Sequence, residues 1–315
     1  MDKPKITAKD FFLWAGAMVA FYWSVIAFVN LVFNYINYAF PNALSYYPSD
    51  PYQSGISYEM ASIIVLFPVY LIITRFIRNS IALDPSRKEI WARRWALILT
   101  LFVAGISIAI DLIMLLTTFL NGEELTTAFL LKTLVVLLVA GGVFMHFIAD
   151  LRGYWEQYPS RRRVVSIGVA ILAVVTIVSG FFIVGTPQHT RLMRFDDQKV
   201  SDLQEIQSRV TIYWQAKQSL PPTLVELSNS LTYGSLPADK QTGDSYTYTV
   251  TGNLSFKLCA IFNAGSRASQ IYANQYSQAV PTNGRAGAQD SWQHSAGEEC
   301  FDRTIDPSFY PPLSK

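Results

Sequence analysis

This chain holds little of what most enzymes use. Its 315 residues include three histidines and two cysteines, and neither type falls at the spacing of a zinc site. No glycine-rich Walker loop and no Gly-x-Ser-x-Gly elbow occurs. His146 is the one histidine inside a long apolar run, so a bis-histidine haem has no second axial ligand there. Asp111 has no second carboxylate at similar depth, which excludes a paired-aspartate intramembrane protease. Net charge is only +2, and residues 187–315 carry 11 Lys/Arg against 12 Asp/Glu. Nucleic-acid binding normally needs a clustered basic face, so that partner class is excluded as well. The expectation is a non-enzymatic chain without cofactor or metal.

What the chain has in quantity is apolar sequence, 51% of its residues. A membrane-spanning helix needs roughly 20 largely apolar residues. Five stretches qualify: Phe11–Tyr35, Tyr58–Ile77, Trp95–Leu120, Ala128–Ile148 and Val164–Gly185. The first is longer than a signal-peptide core, and no small-residue cleavage site follows it, so it reads as a span. Basic residues are distributed unevenly between the connections. Pro41–Ser57 and Asn121–Thr127 contain no Lys or Arg. Arg75–Arg94 contains six, Ala149–Arg163 contains four, and the N-terminal tail adds Lys3, Lys5 and Lys9. Basic connections stay in the cytoplasm, which predicts an N-in, C-out topology. The expected fold class is an α-helical membrane bundle of five transmembrane helices followed by a small extracytoplasmic α+β domain. The expected divisions are 1–152 for a four-helix domain, 153–186 for a basic loop and fifth helix, and 187–315 for the head.

Polar residues inside the spans are the candidate sites. Asp111 in the third span and Lys132 in the fourth flank the turn at Asn121–Glu124. Counted from that turn they differ in depth by about four residues, or ~6 Å, which predicts an intramembrane ion pair. Such a pair serves either as a clasp that registers two helices or as part of a proton or ion relay. Asn30, Asn34 and Asn37 recur at i, i+4 and i+7 and share one helical face. They either bond neighbouring helices or line a polar groove. Pro68 is expected to kink the second span. Ala104-Gly105 and Ala140-Gly141-Gly142 offer small surfaces for close packing of the third and fourth.

Beyond Pro187 the pattern changes. Val200, Leu203, Ile206, Val210 and Tyr213 repeat at three- and four-residue steps and predict an amphipathic helix over Met193–Ala216. A short second helix is expected at Thr223–Leu231. Tyr246–Val250 and Leu254–Phe262 read as a hairpin about Gly252-Asn253, and Asn263–Glu299 as a long loop. Cys259 and Cys300 both lie in the half placed outside, which favours a disulfide over two buried thiols. Asp239 and Asp244 lie in a turn that either holds calcium or is simply solvated.

Two resemblances accompany these readings. Phe33–Asn37, Leu66–Val69, Leu101–Ala104, Ile110–Leu112 and Phe129–Lys132 resemble an uncharacterised family of four-helix bacterial membrane domains, common in candidate-phylum bacteria. That likeness covers most of residues 10–152 and implies no activity. Asp202–Ile206, Tyr213-Trp214, Leu220-Pro221, Asp239 with Gly243, and Tyr246–Tyr248 resemble the heads of type IV pilins and type II secretion pseudopilins. This second likeness covers residues 190–262 and implies a pilin-like head, here with no prepilin cleavage motif before Val164. Together these readings predict a scaffold or interaction module in the bacterial inner membrane. Its expected partners are the lipid bilayer, envelope or pilus and secretion proteins, and copies of itself. The alternative is a small transporter, channel or sensor built on Asp111 and Lys132.

Overall fold

The computed structural model describes residues 7–40, 55–83, 90–228, 234–266 and 291–312. Arg87, Lys88, Lys3, Lys5 and most of the Asn263–Glu299 loop lie outside the described residues. The chain divides into two compact units at Gly185 and Thr186.

The first unit is helical. Its elements are α1 (Ala8–Ala39), α2 (Ile56–Leu83), α3 (Trp91–Leu120), α4 (Thr127–Leu151), the single turn α5 (Tyr154–Gln157) and α6 (Pro159–Val184). Thr7 caps α1 in a reciprocal box with Asp10, which satisfies backbone N–H groups that have no intrahelical partner. Four of the five apolar stretches lie within one long helix each, and the fifth, Val164–Gly185, ends on the C-cap of α6. Among the described residues, five helices are long and apolar enough to cross a membrane. α2 runs on through Pro68.

Helix packing follows the small residues. α3 turns Ala92, Ala96, Leu97, Thr100 and Ala104 inward. α4 buries Thr133, Ala140 and Phe147, seven residues apart each time. The alanines of the small-residue pairs are therefore the packing surface. Gly105, Gly141 and Gly142, beside them in the sequence, face open space. α6 packs on α2 and α1. There, a methyl group at Gly180 would collide with Met60 Sδ and stand 2.6 Å from the Tyr35 hydroxyl. Tyr35 donates to the Thr176 carbonyl at 2.7 Å and ties α1 to α6.

The second unit lays α7 (Pro187–Lys217) on a three-stranded antiparallel sheet of β1 (Thr247–Val250), β2 (Ser255–Phe262) and β3 (Gly297–Thr304), in the order β1-β2-β3. α7 begins six residues before the predicted helix because Thr186 caps it and Pro187 fits its first turn. Leu203, Ile206, Val210 and Trp214 bury against Phe256, Leu258, Ala260 and Phe262 of β2. The expected second helix is reduced to one 3-10 turn, Leu224–Leu227, and residues 229–233 lie outside the described residues.

β3 departs from expectation. Part of the presumed loop forms a strand paired with β2 along its whole length, from Ser255↔Thr304 to Phe262↔Gly297. Gly-Glu-Glu-Cys-Phe-Asp-Arg-Thr has few strand-forming residues, so local propensity hides it. Long-range pairing and the Cys259–Cys300 bond supply what propensity lacks. These cysteines are direct cross-strand partners, with Cα atoms 4.1 Å apart and a disulfide between them.

Candidate functional site

Two polar systems stand out, one in each unit. In the helical unit the predicted ion pair does not form. Lys132 Nζ lies over the Phe33 ring of α1, 5.8 Å from its centroid. Asp111 Oδ2 is buried and has no hydrogen-bond partner. Lys132 neighbours the buried stripe of α4 on the side toward α1, whereas Asp111 continues the α3 stripe of Leu97 and Ala104 by one more heptad. The cation is held instead by the face of an aromatic ring.

On the asparagine face of α1, Asn30 reaches a neighbouring helix. Asn30 Nδ2 donates to Glu59 Oε1 of α2 at 3.3 Å. Asn34 and Asn37 also have partners. Glu59 escaped the sequence reading because it sits close to the start of its apolar run, where a carboxylate reads as an ordinary helix-terminal charge. Asn30 also lines a cavity of about 280 Å³ between α1, α3 and α4. At the opposite end of the helices, Arg93 of α3 pairs with Asp150 of α4 at 3.6 Å. Trp155 donates to the His146 carbonyl at 2.9 Å, and its ring lies 5.1 Å from that of His146.

In the second unit the polar system is centred on a buried lysine. Lys199 is 3% exposed. Its ammonium donates to Gln241 Oε1 at 2.9 Å and to the Ile261 carbonyl at 2.7 Å. It also stands 3.4 Å from Asp239 and 3.7 Å from Asp196. Asp196 in turn accepts from the backbone N–H groups of Asn263 and Ala264 and from the Asn263 amide. Beside this cluster the Tyr246 hydroxyl donates to Asp202 at 2.8 Å. Burial first, and the Asp202 carboxylate second, hold that phenol far above its ordinary range. Burial pushes Tyr248 up to about 12.

This network decides the fate of the calcium candidates. Asp239 gives one oxygen to the Gln241 N–H and the other to Lys199. Asp244 contributes its backbone carbonyl, which accepts from Asp239 N at 2.9 Å. Asp239 thus already faces the Lys199 ammonium. Among the described residues no cluster of three His, Cys, Asp or Glu side chains could hold a metal.

Residues 10–147 match a family model described as Domain of unknown function (DUF5671). The match takes in α1 to α3 and most of α4, and it accords with the resemblance of this half to an uncharacterised domain family. No curated protein and no solved structure matches the chain.

Proposed function

We propose that the chain is a non-enzymatic, multi-pass protein of the bacterial cytoplasmic membrane whose pilin-like extracytoplasmic head is an interaction module. The observation that carries this reading is the disulfide between β2 and β3. Disulfides persist in oxidising compartments, so the bond supports an extracytoplasmic head. The positive-inside pattern argues independently for the same side.

The head's architecture supports a binding role. A long helix laid across an antiparallel sheet is the arrangement that the pilin resemblance implies. Among the described residues, the order β1-β2-β3 puts the eight-residue β3 at one edge of the sheet, a surface to which a partner strand can add. Support for the alternative, a transporter, channel or sensor driven by an Asp111–Lys132 pair, is weaker, since Lys132 rests over Phe33.

In-cell crosslinking of the full chain and of a chain lacking residues 187–315 tests the proposal. Envelope proteins crosslinked through the head should disappear from the truncated form. An identical set of partners with and without the head would refute the module reading.

A further inference from the structure

Four charged residues share one level of the helical unit. Arg78, Arg93, Asp150 and Arg162 lie one or two residues outside the apolar stretches that end or begin at Ile77, Trp95, Ile148 and Val164. They belong to α2, α3, α4 and α6. Arg93 takes the Asp150 carboxylate at 3.6 Å. Among the described residues, Arg78 and the half-buried Arg162 have no carboxylate within ion-pair distance. The charges of Arg162 and Asp150 both act on Arg78, and the repulsion from Arg162 is the larger. Two helix ends add to this excess. α3 and α6 start with no side-chain cap and no acidic residue in the first turn. Arg93 is instead the third residue of α3, and Arg162 the fourth of α6. A helix N-terminus carries positive partial charge and open N–H groups, so a cation there is unfavourable and an anion favourable. Against one carboxylate, this level holds three guanidiniums and two positive helix ends. Arg161 is different, because its guanidinium donates to the Tyr154 hydroxyl and lies 5.0 Å from the Tyr158 ring centroid.

We propose that Arg78 and Arg162, with the first turn of α6, form a binding site for a phosphate group, carried by an anionic membrane lipid or free in solution. A guanidinium offers a planar fork that meets two phosphate oxygens at once. Bound phosphate sets a negative charge between two cations that otherwise repel each other. Asp150 alone would repel that phosphate, but its charge is offset by Arg93. The ends of four apolar stretches put the site at headgroup level, where lipid phosphates lie. The lipid source therefore rests on the membrane placement proposed above, whereas the phosphate chemistry does not.

The test titrates full-length protein in a neutral detergent with short-chain phosphatidylglycerol, short-chain phosphatidylcholine and inorganic phosphate, followed by calorimetry. Phosphatidylglycerol should bind more tightly than phosphatidylcholine, whose ammonium offsets its phosphate. Arg78→Gln and Arg162→Gln should each weaken binding about tenfold, the effect of one lost charged hydrogen bond. Arg161→Gln and Arg163→Gln remove the same charge from the same helix start and should leave binding unchanged. Arg162→Gln should also raise the unfolding temperature without ligand, because it relieves the repulsion on Arg78; a variant that lost binding by misfolding would show the opposite. Phosphate that binds as tightly as phosphatidylglycerol identifies the free anion as the ligand, and tighter binding of phosphatidylglycerol identifies the lipid. Equal weakening by all four substitutions marks a diffuse basic surface and overturns the proposal. Equal binding of the two lipids with no binding of phosphate overturns it as well. Flotation with phosphatidylcholine vesicles reports the membrane placement separately. Protein that fails to float refutes that placement, and the phosphate titration still decides the site.

Discussion

Lys199 holds together the polar interior of the head, because its buried ammonium faces Asp196 and Asp239 at once. Lys199→Met should destabilise the head by roughly 3–5 kcal/mol, since it leaves two carboxylates buried without their cation. The urea midpoint of the head checks this, and added calcium should not restore it. Tyr246→Phe should cost about 1–3 kcal/mol, because Asp202 then loses a buried donor. The same phenols set an alkaline limit. Tyr246 and Tyr248 have their ionisation raised above the ordinary 10.0 in the folded state. Below pH 10 the protons are bound in both folded and unfolded chains. As pH rises past 10 the unfolded chain releases them first, so stability falls from there toward 12 and beyond. Unfolding titrations between pH 8 and pH 12 should show that decline, and Tyr246→Phe should flatten it. Residue chemistry was legible in the sequence only where neighbours along the chain decide it. The asparagine face followed from spacing alone. The partners of Lys132 and Asp239 did not, because they lie on other elements.

Among the elements, α6 is fixed by one close approach. Gly180→Ala places a methyl group against Met60 and the Tyr35 hydroxyl, and should destabilise the packing of α6 by about 1–3 kcal/mol. Gly168→Ala meets open space on the same helix and should be neutral or slightly stabilising. Maleimide reactivity of a cysteine placed at the buried Ala173 reports both: faster for Gly180→Ala, unchanged for Gly168→Ala. β3 is the element that sequence periodicity missed. It depends on β2 and on the disulfide, which closes a loop across a sequence separation of 41. Reduction should therefore destabilise the head by about 4 kcal/mol in the chain-entropy estimate, with β3 losing amide protection before β2. The apolar helices needed no such support to be legible. Hydropathy is a local property summed over twenty residues, whereas strand pairing between residues 40 apart leaves little local trace.

For the whole molecule, orientation is the central expectation. A single cysteine at Glu123, in a Cys259→Ser/Cys300→Ser background, should react with an impermeant maleimide from outside the cell. One at Gln157 should react only after permeabilisation. The reverse pattern would invert the molecule and place the disulfide in a reducing compartment. Composition, hydropathy and the distribution of basic residues by themselves determined two units, five long apolar helices and the division near residue 186, since each rests on averages over many neighbouring residues. They also brought Cys259 and Cys300 into one unit. Only the tertiary structure decided which polar groups meet. Lys132 lies over the Phe33 ring of another helix, and Asp111 Oδ2 has no donor. The fold of α7 over the sheet set an ammonium beside Asp239. Depth along a helix can be counted from the chain, but azimuth is set by packing against other helices, and that is where the candidate site is made.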